Sequence, residues 1–419
     1  MSVNNTAKLE FRDLTSCGAC QSMNLELTHD FGIVPLAGYF PKPEDSQIDL
    51  IPMKLLFCKE CTLHQISPNI SDEYLFKDYR YISSIGMQKH FDKLANWFIE
   101  TYNPNKSAKI LEFGCNDGPL LSALTNRGFS PVGVDPASNI VHRASKKGLQ
   151  VINDFFSLGA VRRYKQLQDL EYIFSSNSFA HISEISSIAE AVSVALAPNG
   201  KFIVEVQSLV ALLETSAFDF VYHEHKYYYT LESITRLMMR FNLYLEVASL
   251  IPTHGGSYRL VFGKSQTVQG LDTRKLISQE ESFLINSNNI HSAILKYEAE
   301  LEKLDSLIET LHAEGNRILA FGASGRANML LGKLPRSRAL IEKVIDESPE
   351  RFGRLMAQNQ NPIESLSGID FTEYTTIVLL AWNYSDAIIK KLENTDLDYL
   401  IPLPQLKRIA SKHRKGGRA

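Results

Sequence analysis

A cluster of proton-handling and hydroxyl side chains occupies residues 221–229, Val-Tyr-His-Glu-His-Lys-Tyr-Tyr-Tyr. Histidine accepts and releases protons near neutral pH, so His223 and His225 on either side of Glu224 form a candidate acid–base cluster. Tyr222 adds a hydroxyl that can donate a hydrogen bond to a developing negative charge. The same residues could also be a polar strand edge, and the rest of the chain has to decide between the two interpretations.

A loop of the kind that binds cofactors precedes this cluster by about a hundred residues, at Glu112-Phe-Gly-Cys-Asn-Asp-Gly118. It follows a short apolar run and precedes a helical pattern. The next apolar run ends in Asp135, 21 positions after Gly114. This order predicts the opening βαβ unit of a nucleotide-binding α/β fold, in which the terminal acid binds ribose hydroxyls.

The charge of this loop indicates which cofactor it binds. A dinucleotide site needs Gly-x-Gly-x-x-Gly where a helix N-terminus meets the pyrophosphate, whereas here Asn116 and Asp117 separate Gly114 from Gly118. A carboxylate at this position would repel a pyrophosphate but suits the amino group and sulfonium of S-adenosylmethionine. The sequence therefore favours a methyltransferase over a dehydrogenase. The predicted cofactor ligands are Glu112, Gly114, Asn116, Asp117, Gly118, Asp135 and Asn177.

Asn177 and His181 follow another apolar run, which begins near residue 171. Doubly wound folds place ligands at the carboxyl ends of their strands, so both side chains are expected to face the pocket. A single histidine at a strand end is also a common structural hydrogen-bonding residue. His181 is therefore a candidate that needs support from elsewhere in the chain.

Four of the five cysteines form two Cys-x-x-Cys pairs separated by 37 residues, namely Cys17, Cys20, Cys58 and Cys61. Two such turns can direct four thiolates to one point and complete a tetrahedral zinc site. A reactive dithiol or an iron–sulfur cluster are the alternatives for the same residues. Four cysteine ligands leave zinc no open coordination position, so the predicted role is structural.

The strand–loop–helix pattern returns in the last third of the chain. A charged helical segment is predicted over about residues 270–312, followed by an apolar run into Gly322-Ala-Ser-Gly-Arg-Ala-Asn328. Ser324, Arg326 and Asn328 stand in this second loop in place of acids, so the loop can receive an anionic phosphate at a helix N-terminus. We interpret it as the subdomain for the substrate's nucleotide; the alternative is a duplicated domain without a ligand.

The order of these features resembles the sugar C-methyltransferases of deoxysugar biosynthesis. That family's Tyr-x-Glu-His motif falls on Tyr222, Glu224 and His225, its strand-end histidine on His181, and its glycine-rich turn on His254-Gly-Gly-Ser257. The resemblance implies methylation at C3 of a nucleotide-linked 4-keto-6-deoxyhexose, with S-adenosylmethionine as methyl donor and a structural zinc ion. His254 of the glycine-rich turn is a further substrate-binding candidate. This chain departs from the family at Phe76, where a tyrosine near the sugar is expected, so that contact comes from Tyr79 or Tyr81 or is absent.

The resemblance also implies a mechanism. We expect His225 to remove the C3 proton, with Tyr222 as the alternative base. Glu224 is expected to orient an imidazole or raise its basicity, and Tyr222 with His181 to stabilise the enolate. The alternatives are methylation of another carbon acid or of a hydroxyl group, and a noncatalytic nucleotide-binding protein.

The predicted fold class is α/β, with a zinc-binding module followed by two Rossmann-like domains. The expected boundaries are 1–72 for the zinc-binding domain, 73–268 for the methyltransferase domain, 269–312 for a helical connection, 313–406 for the C-terminal domain and 407–419 for a basic tail. A net charge of -3 argues against a nucleic-acid partner. With no long apolar stretch or leader-like N-terminus, we expect a cytoplasmic monomer that does not bind membranes.

Overall fold

The computed structural model describes residues 11–45, 48–76, 83–283 and 285–411, with only the backbone described at Ile85. Tyr79 and Tyr81, two of the predicted substrate-binding residues, lie outside this part of the chain. Among the described helices, none combines the length and the apolar character that a membrane span requires.

The strands and helices are numbered here in chain order. The strands are β1 Phe11–Arg12, β2 Leu25–Pro35, β3 Leu50–Cys58, β4 His64–Ser67, β5 Asn69–Ile70, β6 Ile110–Phe113, β7 Val132–Val134, β8 Gln150–Ile152, β9 Leu170–Ser176, β10 Leu196–Gln207, β11 Tyr227–Tyr228, β12 Tyr244–Ile251, β13 Ser257–Gly263, β14 Ile318–Phe321, β15 Ile341–Asp346, β16 Ile363–Ser365, β17 Thr376–Leu379, β18 Asp398–Ile401 and β19 Lys407–Ile409. The helices are α1 Asp72–Phe76, α2 Ser84–Tyr102, α3 Pro119–Thr125, α4 Ser138–Lys146, α5 Leu158–Arg163, α6 Ile185–Ala195, α7 Leu209–Thr215, α8 Leu231–Met239, α9 Leu271–Ser282, α10 Ser287–Ala313, α11 Gly325–Gly332 and α12 Ser385–Lys391.

The chain forms two compact units, each assembled from separate segments. The first unit contains Met1–Leu27, Leu56–Ala211 and Lys226–Asn286, and the second contains Thr28–Leu55, Leu212–His225 and Ser287–Ala419. Strands β2 and β3 each contribute residues to both units. The units therefore group residues that are distant in sequence, whereas the predicted domains are continuous stretches of the chain.

The first unit is built on a seven-stranded sheet with the order β12-β13-β10-β9-β6-β7-β8. Strands β10, β9, β6, β7 and β8 run parallel, and β13 lies antiparallel between β10 and β12. Parallel neighbours need crossover connections, which the intervening helices supply. Because ligands of such sheets bind beyond the carboxyl ends of the strands, the loops after β6, β7, β9 and β10 are the ones that matter for function.

The second unit is built on a six-stranded sheet with the order β16-β15-β14-β17-β18-β19. Its first five strands are parallel, and β19 closes one edge in antiparallel orientation. Strand β19 lies at the beginning of the predicted basic tail, and Arg408 pairs there with Asp398 at 2.7 Å. The two sheets confirm the predicted α/β class with two Rossmann-like folds.

Helix α10 lies in the segment that the sequence predicts to be helical, about residues 270–312, and apolar residues form a stripe along one of its faces. The stripe residues Ile294, Leu301, Leu304 and Ile308 are fully buried, as expected when apolar residues recur every three or four positions on one face. Helix α2 has the same character in the first unit, where Phe91, Leu94 and Phe98 form its buried face.

Candidate metal centre, cofactor loop and acid–base cluster

The two Cys-x-x-Cys pairs meet in the first unit. The sulfur atoms of Cys17, Cys20, Cys58 and Cys61 all lie within 4.8 Å of one another. Sγ of Cys17 is 3.5 Å from Sγ of Cys61, and Sγ of Cys20 is 3.5 Å from Sγ of Cys58. Four sulfurs about 2.3 Å from a tetrahedral zinc ion would have similar mutual distances, so the donor set and its spacing fit zinc.

The cysteine cluster is continuous with the hydrophobic core of the first unit. Cys17, Cys58 and Cys61 pack in the same group of buried residues as Phe179 and Tyr229. The contact of Cys61 with the Cys17 thiol, together with burial, raises the pKa of Cys61, because a second thiolate so close is unfavourable without a cation. A bound divalent ion would remove this repulsion and fasten the module to the core.

The glycine loop after β6 brings its backbone close to neighbouring groups. Gly114 has φ +64°, and a Cβ atom there would lie 2.4 Å from Cβ of Ser178. Gly118 has φ +78° and precedes α3, whose first residue is Pro119. Both glycines are therefore required by the local backbone, since L side chains rarely adopt this region. Proline at the first helical position starts the helix without losing a backbone hydrogen bond.

Two predicted cofactor ligands hold this loop against the end of β7. The carboxylate of Asp135 accepts from the backbone N–H of Asn116 and of Ala137, both at 2.9 Å. Burial raises the pKa of Asp135, and these two hydrogen bonds oppose that effect. Each carboxylate oxygen has a second lone pair, so the predicted ribose contact of Asp135 is compatible with these bonds.

Asp117 and Asn116 connect the same loop to the start of α2. The Asn116 side-chain oxygen accepts from the backbone N–H of Ser83 at 3.0 Å. Asp117 accepts from the backbone N–H and the hydroxyl of Ser84, and its carboxylate is 2.7 Å from the Lys147 ammonium. The Asp117 carboxylate is thus occupied by donors of the protein itself, which makes it a residue that holds the loop in place.

Glu112 carries an unpaired atom at the position where a cofactor is expected. Its side chain is 2% exposed, and its Oε2 has no hydrogen-bond partner among the described residues. Burial raises the pKa of Glu112 well above its usual value. A buried oxygen without a partner is costly, and a hydroxyl or ammonium donor from a ligand would satisfy it. Glu112 at the end of β6 therefore fits the predicted contact with S-adenosylmethionine.

A buried ionic cluster next to this loop was not predicted. Glu205 is 1% exposed and lies 2.6 Å from Nε2 of His90 and 2.7 Å from Nε of Arg259. Burial opposes its ionisation, yet the bonds from His90 and Arg259 hold the pKa of Glu205 below its usual value. The available sequence signal was an acid inside the otherwise apolar run Phe202-Ile-Val-Glu-Val-Gln207.

His181 lies in the first unit, in the short turn that follows β9, where its ring makes an edge contact with Phe76 at 6.4 Å. The turn is held by Lys226, whose backbone N–H donates to the carbonyl of Ala180 at 2.8 Å. The buried Lys226 ammonium also contacts Asp72 and the hydroxyl of Ser183. Phe76, which stands where a tyrosine was expected, therefore contacts the ring of His181. Asn177, also at the end of β9, has φ +58° and donates its backbone N–H to the carbonyl of Glu205.

Tyr222 and His225 meet in the second unit. The Tyr222 hydroxyl is 2.8 Å from Nε2 of His225, and Nδ1 of His225 is 3.0 Å from the carbonyl oxygen of Phe220. Because a carbonyl can only accept a hydrogen bond, Nδ1 carries a proton. In the neutral ring Nε2 then holds the lone pair, so the Tyr222 hydroxyl donates to it. This arrangement gives His225 a basic nitrogen next to a phenol.

Glu224 and His223 have other partners in the second unit. Oε1 of Glu224 accepts from the backbone N–H of Gly38 at 2.7 Å. His223 is 1% exposed, and its Nε2 is 3.0 Å from the carbonyl oxygen of Pro52. The group bonded to Nδ1 of His225 is thus the Phe220 carbonyl, whereas Glu224 connects its segment to the backbone at Gly38.

The three side chains predicted to bind the nucleotide make bonds within the second unit. Ser324 accepts from the backbone N–H of Ala327 at the start of α11. The Asn328 amide donates to the carbonyl of Ala37 at 2.9 Å. Arg326 forms an ion pair with Asp219 at 2.8 Å.

His254, a further substrate candidate, lies in the first unit in a tight turn with φ +54°, and its carbonyl accepts from Gln207.

Three family profiles match consecutive parts of the chain. The profile described as "Putative zinc binding domain" matches residues 17–76, and the profile described as "Methyltransferase domain" matches residues 78–247. The profile described as "C-methyltransferase C-terminal domain" matches residues 252–404. The first of these contains all four clustered cysteines, and the second contains the glycine loop.

Among curated proteins, the C-methyltransferase NovU of Streptomyces niveus is 27% identical over 414 residues, which cover 96% of this chain and 98% of NovU. Among solved structures, magnesium protoporphyrin IX methyltransferase of Synechocystis PCC 6803 with bound SAM has a TM-score of 0.34 and 13% identity, over 46% of this chain and 89% of that chain. The PH0226 protein of Pyrococcus horikoshii has a TM-score of 0.34 and 16% identity, over 42% of this chain and 91% of that chain. Structural similarities with such low TM-scores do not indicate a function.

The sequence matches agree with the geometry of the cysteine cluster and of the glycine loop. The cysteine cluster is a structural zinc site, and the loop after β6 belongs to a methyltransferase domain that uses S-adenosylmethionine. The similarity to NovU extends over nearly the full length of both chains. The chain is therefore an S-adenosylmethionine-dependent C-methyltransferase related to NovU, with consecutive segments that match a zinc-binding domain, a methyltransferase domain and a C-methyltransferase C-terminal domain.

Proposed function

We propose that this C-methyltransferase acts at C3 of a nucleotide-linked 4-keto-6-deoxyhexose. The Tyr222–His225 pair is the observation that carries the proposal, because Nε2 of His225 holds a lone pair beside a phenolic hydroxyl. Methylation at carbon, as opposed to oxygen or nitrogen, requires the removal of a C–H proton, and a carbon next to a ketone is acidic enough for a histidine base.

In the proposed reaction His225 takes the C3 proton on Nε2, and the negative charge moves to the C4 oxygen of the sugar. Once Nε2 is protonated, Tyr222 turns its one hydroxyl proton from Nε2 to that oxygen, and His181 is the second proposed donor that stabilises the enolate. The carbonyl of Phe220 keeps the proton on Nδ1, so it orients the ring in the way that was expected of Glu224. When bound, S-adenosylmethionine would supply an electrophilic methyl group to C3; its S–CH3 bond would break and S-adenosylhomocysteine would leave. His225 then releases its proton to solvent.

The cofactor is assigned to the loop after β6 in the first unit. Glu112 supplies the buried Oε2 acceptor, and Asp135 supplies carboxylate lone pairs to the ribose hydroxyls. Asn116, Asp117, Asn177 and the glycines at 114 and 118 give the loop its shape. In the second unit the bonds of Ser324 and Asn328 point to a role in holding the loop, and a nucleotide phosphate would meet backbone N–H groups at the start of α11.

The proposal is tested by following the C3 proton before any methyl transfer. The purified protein is incubated in D2O with dTDP-linked and GDP-linked 4-keto-6-deoxyhexoses, and deuterium incorporation at C3 is measured by mass spectrometry. Addition of S-adenosylmethionine should then give a product heavier by one methyl group. The His225→Asn variant should lose exchange by about 10²-fold or more, the usual contribution of a general base, while its affinity for S-adenosylmethionine stays near that of the wild type.

The exposed His142 provides the matched control, because His142→Asn makes the same chemical change far from the glycine loop and the acid–base cluster in sequence. That variant should exchange deuterium at the wild-type rate. Exchange at the normal rate in His225→Asn would reject His225 as the base. Methyl transfer to a hydroxyl of the sugar, read from the fragmentation of the product, would reject C3 as the site.

A further inference from the structure

A buried ionic and aromatic cluster surrounds Asp219 in the second unit. Asp219 is 0% exposed and lies in the short turn Phe218–Phe220, two residues before Val221-Tyr222. Its Oδ2 accepts from Nε of Arg326 at 3.0 Å and from the indole N–H of Trp382 at 2.9 Å. The Arg326 guanidinium also donates to the side chain of Asn383 at 3.0 Å. A carboxylate buried this deeply is maintained by such charged and polar partners.

Arg326 of this cluster packs against the ring of Phe220. The guanidinium of Arg326 lies 3.8 Å from the centre of the Phe220 ring, and 5.1 Å from that of Trp382. A planar cation that contacts two aromatic rings and is paired with a carboxylate is held in both position and orientation. Since Asp219 precedes Phe220 directly, its ion pair also restrains the backbone of the turn. Phe220 is thereby held through its ring and through its main chain.

Phe220 in turn determines the state of His225. Its carbonyl oxygen is the 3.0 Å partner of Nδ1, and its ring is parallel to the imidazole within 8° at a centroid distance of 6.3 Å. A free neutral imidazole exchanges its proton between the two nitrogens, and only the form protonated on Nδ1 leaves Nε2 basic. If the carbonyl of residue 220 were displaced, the imidazole proton of His225 would no longer be restricted to Nδ1.

We infer that Asp219, Arg326 and Trp382 are positioning residues for His225, because they hold Phe220 so that its carbonyl keeps the imidazole proton on Nδ1. The inference rests on the proposed function only for its catalytic consequence, since the tautomer itself can be observed without substrate. It assigns to Arg326 a task inside the protein in place of the phosphate contact expected from its position in a glycine loop.

The test is nitrogen-15 NMR of protein labelled at histidine and recorded at pH 8, with the His225→Asn spectrum identifying the signals of His225. In the wild type Nδ1 should show a protonated and Nε2 an unprotonated nitrogen. Asp219→Asn and Arg326→Gln should shift His225 towards a mixture of tautomers. The milder Trp382→Phe removes only one donor to Asp219, and it keeps the test open should the other two variants fail to fold.

Activity provides the second readout, measured with whichever 4-ketosugar nucleotide the wild type methylates. Arg326→Gln should lower kcat by at least about tenfold, with KM for S-adenosylmethionine nearly unchanged, since part of the general-base contribution is lost. Arg326→Lys keeps the charge and should recover part of kcat. Arg351→Gln is the matched control: it breaks the 3.1 Å pair with Asp346 in the same unit but should leave the His225 signals and kcat unchanged.

Three outcomes would overturn the inference: a wild-type His225 protonated on Nε2, unchanged His225 signals in Asp219→Asn, Arg326→Gln and Trp382→Phe, or an Arg326→Gln variant that raises only KM for the sugar nucleotide. The last result would make Arg326 a phosphate ligand. A wild-type enzyme that shows the expected tautomer and the expected variant shifts but no C3 exchange would reject the proposed function and leave the positioning network standing.

Discussion

His223 and His225 have the same side chain and lie two positions apart, yet their surroundings differ. His225 has both ring nitrogens in hydrogen bonds, to Tyr222 and to Phe220. His223 is buried, with Nε2 bonded to the carbonyl of Pro52, and burial lowers its pKa to about 4 although that bond opposes the shift. We therefore interpret His223 as a packing residue that is neutral in the folded protein, and we propose His225 as the base.

The low pKa of His223 predicts a pH-dependent contribution to stability. Above pH 6.5 the ring is neutral in both the folded and the unfolded state, so its contribution is complete. As the pH falls from 6.5 towards 4, the unfolded chain binds a proton that the folded chain excludes, and stability is lost at up to about 1.4 kcal/mol per pH unit. His223→Gln should therefore show a smaller fall in the free energy of unfolding between pH 7 and pH 5, measured by urea denaturation.

The wild type and the His223→Gln variant share all other titrating groups, so the difference between their pH dependences reports on residue 223 alone. The exposed His142 is the control, and His142→Gln should keep the wild-type pH dependence. A His223→Gln protein with the same slope as the wild type would show that His223 is protonated without cost in the folded state.

Helix α2 is the element that connects the cofactor loop to the sheet of the first unit. Its start is fastened to the loop by the bonds from Ser83 to Asn116 and from Ser84 to Asp117. About two turns further on, His90 contacts Glu205 on β10 through Nε2 and the hydroxyl of Thr253 through Nδ1. The helix therefore transmits the position of the sheet to the loop that is expected to hold the methyl donor.

This anchoring predicts a large effect of Glu205→Gln, which removes the charge and nearly preserves the shape. Arg259 would be left buried without its counterion, so we expect a loss of about 3 kcal/mol in the free energy of unfolding, measured by urea denaturation. Affinity for S-adenosylmethionine, measured by calorimetry, should also decrease because α2 loses its hold on the sheet.

Glu232 offers the same substitution on the surface of the first unit. It forms an ion pair with Arg236 at 2.7 Å, and both side chains are 51% exposed. Glu232→Gln should change stability by less than about 1 kcal/mol, because exposed pairs contribute little. Equal effects of the two substitutions would contradict an anchoring role for Glu205.

For the molecule as a whole, the zinc site belongs to the core of the first unit and does not form an isolated module. Its cysteines pack with residues that also contact the methyltransferase sheet. Gly18, between the first two ligands, lies so close to the Tyr227 ring that a Cβ atom would be 2.8 Å from its Cε1. Loss of the metal should therefore disturb the unit that contains the cofactor loop.

Cys58→Ser should consequently bind less than one zinc ion per chain, as measured by elemental analysis. Structural zinc contributes several kcal/mol to folding, so we expect a fall in Tm on the order of 10 °C and weaker binding of S-adenosylmethionine. Cys115→Ala is the control, because Cys115 lies outside the cluster, with its sulfur near Gly133. Retention of one zinc ion by Cys58→Ser, or its loss from Cys115→Ala, would refute the assignment of the four ligands.

The sequence by itself determined the features that depend on local spacing. The two Cys-x-x-Cys pairs predicted the metal cluster, because each pair already directs two thiolates to one point. The glycine loop at residues 112–118 predicted the methyltransferase fold, because the order of apolar runs around the loop and the carboxylate within it are local features of the sequence. The segment around residues 270–312 predicted a helix, because helical periodicity is contained in the order of residues.

The tertiary structure alone decided which distant groups pair with the side chains of the predicted sites. Asp117 and Arg326 stand in glycine loops where the sequence predicts ligand contacts, but their charges are taken by Lys147 and by Asp219, 30 and 107 positions away. Likewise the Phe220 carbonyl, and no side chain of the motif, bonds Nδ1 of His225. A charge or a carbonyl finds its partner through the fold, and no local pattern records which distant residue that partner is.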